Sequence, residues 1–465
     1  MKKKTLQAAV IALGILSASF TVSAMGETDV EDTVLSEITE ESMKNQDVET
    51  EEDTEQENPD NPQPEKPQNG WVENENGWQY KDENGNLLKD GWWEIEGERY
   101  YFDKDGYRAS YWLYADGQYY WLGTDGKMQT GWQEVWGRWY YLGKAADDGV
   151  MRTYWQEING KYYWFGADGA MRTGWQEVWG KWYYLGKAAD DGVMRTYWQE
   201  IDGEYYWLGA DGAMRTGWQE VRSKWYYLDV AGVMQTGWIW TEGDKWYYTY
   251  ESGAMASNTW EKMNGQWYWF DESGLMAQGW KYIGRYKYYF DKSGYMLQDL
   301  GGVLGRQSSY EITVNRKRCQ VMVYAKDGSN GYIIPVKTFT CSVGLPSTPT
   351  PTGTFYTPNK YRWHTLMGPS YGQYCTRING GILFHSVAGY NMTSYNIHAR
   401  DYNKLGSPAS HGCVRLNVRD AKWIYDNCSL GTKVTISDSV ATPFDKPATI
   451  KIPANQNWDP TDPNI

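Results

Sequence analysis

Tryptophan recurs in this chain at a spacing that restricts its fold before any single side chain is considered. Eleven opening tryptophans run from Trp71 to Trp280 at steps of 20 to 23 residues. A longer period lies over the short one: Trp132, Trp175 and Trp218 stand 43 residues apart, with near-identical sequence between them. One unit, residues 130–142, reads Thr-Gly-Trp-Gln-Glu-Val-Trp-Gly-Arg-Trp-Tyr-Tyr-Leu. A short strand, a turn at Gly137 and an aromatic strand make a β-hairpin, and a glycine-rich loop ending in Met151 leads to the next unit. A lone hairpin buries too little to be stable in water. Residues 71–299 are therefore expected to stack as a β-hairpin solenoid of aromatic repeats, each unit completing its neighbour's core.

Alternation along a strand puts Trp139 and Tyr141 on one face and Tyr140 on the other. One face can pack on the next hairpin, and the other can join a neighbouring opening tryptophan in an aromatic cage. The candidate cage residues are Trp132, Trp139 and Tyr141, with Trp175, Trp182, Tyr184 and Trp218 in later copies. Such cages hold quaternary ammonium by cation–π attraction, which the net acidity of the repeats favours. Aromatic faces stack equally well on sugar rings. A quaternary ammonium group and a sugar ring are both open as ligands. Packing alone is the competing role for these rings, because large aromatics dominate core burial. Gly-Trp units alternate with Tyr-Trp units (Trp155, Tyr162, Tyr163, Trp164), so open sites are expected at alternate interfaces. Two units depart from the pattern, with Ser223 in place of the turn glycine and Lys287 in place of a cage aromatic.

The chain of 465 residues is too long for one core. Residues 1–24 read as a secretory signal, with Lys2, Lys3 and Lys4, an apolar run from Leu6 to Leu16, and the small-residue end Val22-Ser23-Ala24. The apolar run is short for a membrane span, so cleavage is expected rather than a retained anchor. Residues 25–70 carry 16 acids against Lys44 and Lys66 and almost no aromatics, the composition of a solvated linker. Residues 300–465 reverse the sign, with 17 Lys or Arg against 9 acids, so the overall charge of −14 hides a basic C-terminal region. In an exported protein that basic region points to anionic wall polymer or peptide carboxylates rather than nucleic acid. The four histidines lack metal-ligand spacing, and neither a metal nor a cofactor is expected.

Residues 302–440 change character, with alternating strands, a Pro-rich corner at 348–353 and one clear short helix at 420–428. A Pro-rich tail, 441–465, follows. All five cysteines fall here: Cys319, Cys341, Cys375, Cys413 and Cys428. An odd number leaves at least one free thiol. Cys319 and Cys341 flank the turn at 327–331, as a cross-strand disulfide or as two buried thiols. Cys413 lies in Ser410-His411-Gly412-Cys413-Val414-Arg415-Leu416, and His385 in the strand Ile-Leu-Phe-His-Ser upstream. A thiolate is the reactive form of cysteine, and a nearby imidazole creates it by taking the proton. His385 is the preferred base because a strand fixes its ring, with Ser386 beside it to orient it. Gly412 would let a carbonyl approach, and the N–H groups of Gly412 and Cys413 would hold a developing oxyanion. His411 is given a supporting hydrogen bond. The competing role for Cys413 is a buried structural thiol. His398, in the long loop 387–409, is the alternative base, and that loop either stays solvated or closes as a lid. Arg415 either binds a carboxylate bidentately or braces its loop. Tyr374 is a candidate substrate or oxyanion contact against a packing role. His364 is read as a surface or partly packed side chain.

Thr350-Pro351-Thr352-Gly353, Phe384-His385-Ser386 and the Ser410–Leu416 run resemble an L,D-transpeptidase catalytic domain over about residues 310–440. The repeats resemble the cell-wall-binding repeats of choline-binding and glucan-binding surface proteins, which implies a choline-substituted wall polymer or a glucan as their ligand. The resemblance implies a mainly β architecture, a hairpin solenoid followed by a β-rich L,D-transpeptidase domain. It implies a Cys413 thioester with a peptidoglycan stem peptide, resolved by a second stem's amine into a 3→3 cross-link, and sensitivity to carbapenems. Water as acceptor would make the protein an L,D-carboxypeptidase. An inactive cysteine domain would leave a wall-binding adhesin.

Overall fold

The computed structural model describes residues 69–144, 149–187 and 191–465. The expected secretory signal and the acidic linker up to residue 68 lie outside the described residues. From Gly70 to Phe290 run eleven two-stranded antiparallel hairpins. In one of them Gly131–Val135 pairs with Arg138–Leu142, setting Trp132 opposite Tyr141 and Glu134 opposite Trp139. The two-residue turn has both residues in the left-handed region, Trp136 at φ 51° and Gly137 at 75°. That turn type matches the twist of the flanking strands. The last residue of the second strand makes the core, and Phe102, Leu142, Phe165, Leu208 and Phe290 are fully buried.

The loops bind one hairpin to another. The Met171 N–H donates to the Trp139 carbonyl, and Met214 N–H to that of Trp182, both at 2.8 Å. A Cβ added to Gly169 would lie 2.2 Å from the sulfur of Met151, and one on Gly212 2.3 Å from that of Met194. Loop glycine and loop methionine are thus one packing device, in which the missing side chain of one unit makes room for the thioether of the unit before.

The C-terminal region has two sheets. The first orders its strands Ile334–Thr340, Gln320–Ala325, Tyr310–Asn315, Lys433–Ser437 and Gly353–Tyr356. The second orders them Lys360–Thr365, Tyr371–Asn379, Ile382–Ser386 and Val414–Leu416. The helix Val418–Asn427 starts at Asn417, whose side chain accepts the Asp420 N–H. It buries Val418, Ala421 and Ile424 in the same core as Val314, Phe339 and Phe384. The sequence reading starts this helix two residues late and misses the strands Lys360–Thr365 and Tyr371–Asn379. Cys341 N–H donates to the Cys319 carbonyl at 2.9 Å, yet both thiols are free and buried, as are Cys375 and Cys428.

The tail after residue 440 is part of this fold. Phe444 is buried against Met322 and Tyr324 and the last repeat residues Tyr288, Phe290 and Met296. Asp445 accepts from Lys262 Nζ at 2.8 Å and Trp267 Nε1 at 2.9 Å. Asp459 accepts the Val418 N–H at 2.7 Å, and Asp462 takes Gln373 Nε2 at 2.8 Å. The loop 387–409, read from sequence as solvated or as a lid, has a core of its own, in which Val387, Ile397, Tyr402 and Leu405 pack with Ile452 of the tail.

Candidate active site

Strand register brings the two candidate reacting groups to one face of the sheet. Ile382–Ser386 and Val414–Leu416 run parallel, with Phe384 opposite Val414 and His385 opposite Arg415. Cys413 precedes Val414, so it sits alongside Leu383, and residues 383, 385, 413 and 415 share one face of the sheet. All four line a cavity of about 270 Å³ together with His364, Arg377, Ser410 and His411.

His385 is fully buried, and its Nδ1 lies 2.5 Å from the Ser386 carbonyl oxygen. A carbonyl only accepts, so Nδ1 carries the hydrogen and Nε2 holds the free lone pair. Ser386 orients the ring through its backbone, not through the hydroxyl expected from sequence. That hydroxyl accepts the Gln373 N–H at 3.0 Å and donates to the Val387 carbonyl. Gly372 is the floor under the ring, since a Cβ there would lie 2.9 Å from Nδ1. Burial, and to a smaller degree the charge of Arg415, push the imidazole down to about 4. Burial pushes the Cys413 thiol up, while the Leu383 backbone, Arg415 and Arg377 pull against it. Near neutrality both groups are therefore uncharged, a thiol and an imidazole lining one cavity.

The nucleophile loop is braced from several directions. Ser410 Oγ donates to the Cys413 carbonyl at 2.6 Å and accepts the Gly412 N–H at 3.1 Å. That second bond takes up one of the two donors assigned from sequence to an oxyanion. Gly412 has φ 116°, and a Cβ there would meet Ile382 at 2.8 Å. Thr350 is buried; its hydroxyl accepts the Gly344 N–H and donates to the Gly412 carbonyl, both at 2.8 Å. The Thr-Pro-Thr-Gly run thus fastens the nucleophile loop to the other sheet. Arg415 donates to the Ala409 carbonyl at 3.0 Å, a bracing contact, while its side chain also lines the cavity.

Two residues that sequence reading set aside or passed over stand at the cavity. His364 stacks on Tyr361, ring centroids 4.3 Å apart, and its Nε2 lies 3.3 Å from the Arg377 guanidinium. Arg377 also donates to the Gly380 carbonyl, and the Cys413 sulfur lies 3.5 Å from the next carbonyl, Gly381. Only the neighbouring polar strands, which carry no clear period, signal them. The lining holds two arginines and three histidines and no carboxylate. Tyr374 is elsewhere: it is buried on the other side of the sheet, edge-on to Tyr425 and under Arg362, and does not reach the cavity. His398 caps a short helix beside Tyr390, also outside the cavity.

In the repeats, Trp132 meets Trp139 at 6.3 Å, Tyr141 at 5.2 Å and, from the next hairpin, Tyr163 at 4.9 Å. Trp175 repeats this with Trp182 at 6.5 Å, Tyr184 at 5.1 Å and Tyr206 at 4.9 Å. The third wall is a tyrosine of the following unit, so the set spans the interface between two hairpins. Trp218 meets Tyr247 at 5.0 Å in the same way. A cavity of about 390 Å³ opens at the equivalent set Trp238, Trp246, Tyr268 and Met276. In the last unit Lys287 lies 5.4 Å over Trp280 and pairs with Asp327 at 2.8 Å, so a built-in cation stands where a ligand would.

Comparison with known proteins places both halves. Residues 309–436 match the family model of the L,D-transpeptidase catalytic domain. Residues 152–197 and 215–260 match the choline-binding repeat, and 196–214, 258–276 and 278–296 a "Putative cell wall binding repeat". The "Putative L,D-transpeptidase YciB" of Bacillus subtilis is 39% identical over 140 residues, 28% of this chain and 68% of that protein. L,D-transpeptidase 1 of Mycobacterium tuberculosis is 27% identical over 111 residues, 23% of this chain and 43% of that protein. Among solved structures, choline binding protein F of Streptococcus pneumoniae is 36% identical, covering 43% of this chain and 76% of that chain at a TM-score of 0.37. On the catalytic match and the repeat models together, the chain belongs to the L,D-transpeptidase family and carries choline-binding-type repeats ahead of its catalytic domain.

Proposed function

We infer that the protein is an exported peptidoglycan L,D-transpeptidase held on the wall by its repeats. The observation that carries this reading is the shared cavity of Cys413 and His385, whose lining holds Arg377 and Arg415 and no carboxylate. His385 Nε2 takes the thiol proton as Cys413 Sγ attacks the carbonyl carbon between the third stem residue and the terminal D-Ala. The Cys413 N–H supports the oxyanion, Gly412's being engaged within the loop. D-Ala leaves as an amine carrying the proton from His385, and a thioester remains. An amine on the third residue of a second stem attacks the thioester, giving a 3→3 cross-link and restoring the thiol. Arg377 and Arg415 supply the positive wall for the stem's carboxylates. The repeats, through cages such as Trp132–Trp139–Tyr163, hold a choline-bearing wall polymer and raise the local enzyme concentration.

Purified tetrapeptide stems test the chemistry. The full chain should release D-Ala and form cross-linked dimer, and Cys413→Ala should do neither. Exposure to a carbapenem should add one adduct mass on Cys413. Release without dimer would make the enzyme a carboxypeptidase, and absence of both release and adduct would leave an adhesin.

A further inference from the structure

The Tyr-Trp units hold a second kind of aromatic site. Tyr111, Tyr154 and Tyr197 occupy left-handed backbone, with φ of 64°, 61° and 62°. The Gly-Trp units put glycine at the same place, Gly131, Gly174 and Gly217, at 71°, 68° and 69°. Trp136 and Trp179 sit at the first turn position, φ 51° and 50°, where other hairpins carry Asn159, Asp202 or Asn264. A bulky aromatic is disfavoured in this region, and such strain persists where the fold or a function maintains it. Packing does not maintain it here, because the strained rings point outward. Trp136 is 78% exposed, Trp179 79% and Tyr154 51%.

These rings converge. Tyr154 lies 5.6 Å from Trp164, and Trp179 of the next hairpin stands 5.7 Å from the same ring at 82°. Forty-three residues earlier, Tyr111 lies 5.9 Å from Trp121, and Trp136 5.8 Å, again at 82°. The third copy keeps Tyr197 at 5.6 Å from Trp207 but has Arg222 in place of the outer indole. It opens as a cavity of about 760 Å³, flanked by Glu220 and Lys224. No ring is shared with the Trp132–Trp139–Tyr163 cages.

We propose that these clefts bind the pyranose rings of an extended saccharide chain, so that the repeats carry two ligand classes on separate sites. An ammonium ion needs ring faces closing round it to offset its lost hydration, and a cleft with an outer wall this exposed does not close. A sugar ring stacks its C–H face on one flat indole while its hydroxyls stay in water or reach a flanking carboxylate or lysine, as at Glu220 and Lys224. Copies every second hairpin suit a linear polymer, which gains affinity by engaging several at once.

The test uses the full chain with choline at saturation, so that the cages are filled. Calorimetry with the β-1,4-linked N-acetylglucosamine hexamer and with isomaltohexaose should show saturable binding of at least one, and which one binds names the polymer. The chain's own alternative residues supply the variant: Tyr111→Gly, Tyr154→Gly and Tyr197→Gly with Trp136→Asn and Trp179→Asn. Because these residues suit the backbone, its Tm should equal or exceed that of the wild type, while saccharide affinity falls by at least about 10-fold. The reverse change, Arg222→Trp, supplies the outer indole that the third copy lacks and should tighten saccharide binding there. Absence of binding by both hexamers, competition by choline, unchanged affinity in the multiple variant or unchanged affinity in Arg222→Trp would each overturn the proposal. None of these readouts involves the thiol, so failure of the transpeptidase reading would show separately.

Discussion

At the scale of single residues, burial decides how the candidate pair Cys413 and His385 is protonated. The imidazole of His385 is out of water and near Arg415, so protonation is delayed to about 4. The Cys413 thiol is raised by the same burial. Alkylation by iodoacetamide should report this directly, because the other four thiols are buried. Its rate at Cys413 should keep rising through pH 8 and 9, as the thiolate fraction grows. A plateau from pH 5 to 8 would instead reveal a preformed thiolate–imidazolium pair and contradict the neutral ground state. The same group gives a stability signature of definite sign. Between its unfolded value of 6.5 and about 4, the unfolded chain binds a proton on this histidine and the folded chain does not. Stability should therefore fall as pH drops through that window, by on the order of 3 kcal/mol, and His385→Gln should flatten that slope in denaturant titrations.

At the scale of elements, strand register does the positioning, and register is where sequence reading was strongest and weakest. The His385 strand and the Ser-His-Gly-Cys run were legible because a buried apolar strand and a short motif carry local signals. The hairpins were legible from their period and turn glycines. What the sequence hid depends on pairing between segments far apart. Lys360–Thr365 and Tyr371–Asn379 mix charged, polar and aromatic residues without a clean period, so His364 and Arg377 had no visible route to the cavity. Tyr374 has φ 52° and so turns into the core, which no local pattern announces. The cages were expected between neighbouring hairpins, but which tyrosine of the following hairpin makes the third wall, Tyr163 or Tyr206, only stacking reveals. Gly372 is another hidden determinant, on the strand flanking His385. Gly372→Ala would set a methyl 2.9 Å from Nδ1 and 3.0 Å from the Cβ of His385, so the ring must shift. D-Ala release should fall by about 10- to 100-fold, the usual effect of misplacing a catalytic group by an ångström. The carbapenem adduct should form more slowly in parallel, while the circular dichroism spectrum stays that of the wild type. Unchanged turnover would mean that the ring is not held from below.

At the scale of the whole molecule, the last repeats are built into the catalytic domain as well as preceding it. Met322 and Tyr324 of the catalytic sheet and Phe444 of the tail share one buried cluster with Tyr288, Phe290 and Met296 of the final hairpins. Around it, Lys262 and Trp267 meet Asp445, Lys287 meets Asp327, and Lys337 meets Asp299. The exposed ion pairs add little individually, so the apolar cluster should dominate the coupling. Cutting the chain at residue 306 would uncover large apolar side chains, each worth about 1.5–3 kcal/mol when fully buried. Partial exposure of two or three of them amounts to roughly 3 kcal/mol, or roughly 6–12 °C in a domain of this size. A fragment of residues 306–465 should therefore melt lower than one of residues 259–465 by that margin and aggregate sooner, as read by calorimetry and light scattering. If both fragments melt together, the repeats and the enzyme are independent modules on a common chain. If they differ as expected, wall anchoring and catalysis share a rigid seam, and the cages nearest the enzyme have been given over to holding it.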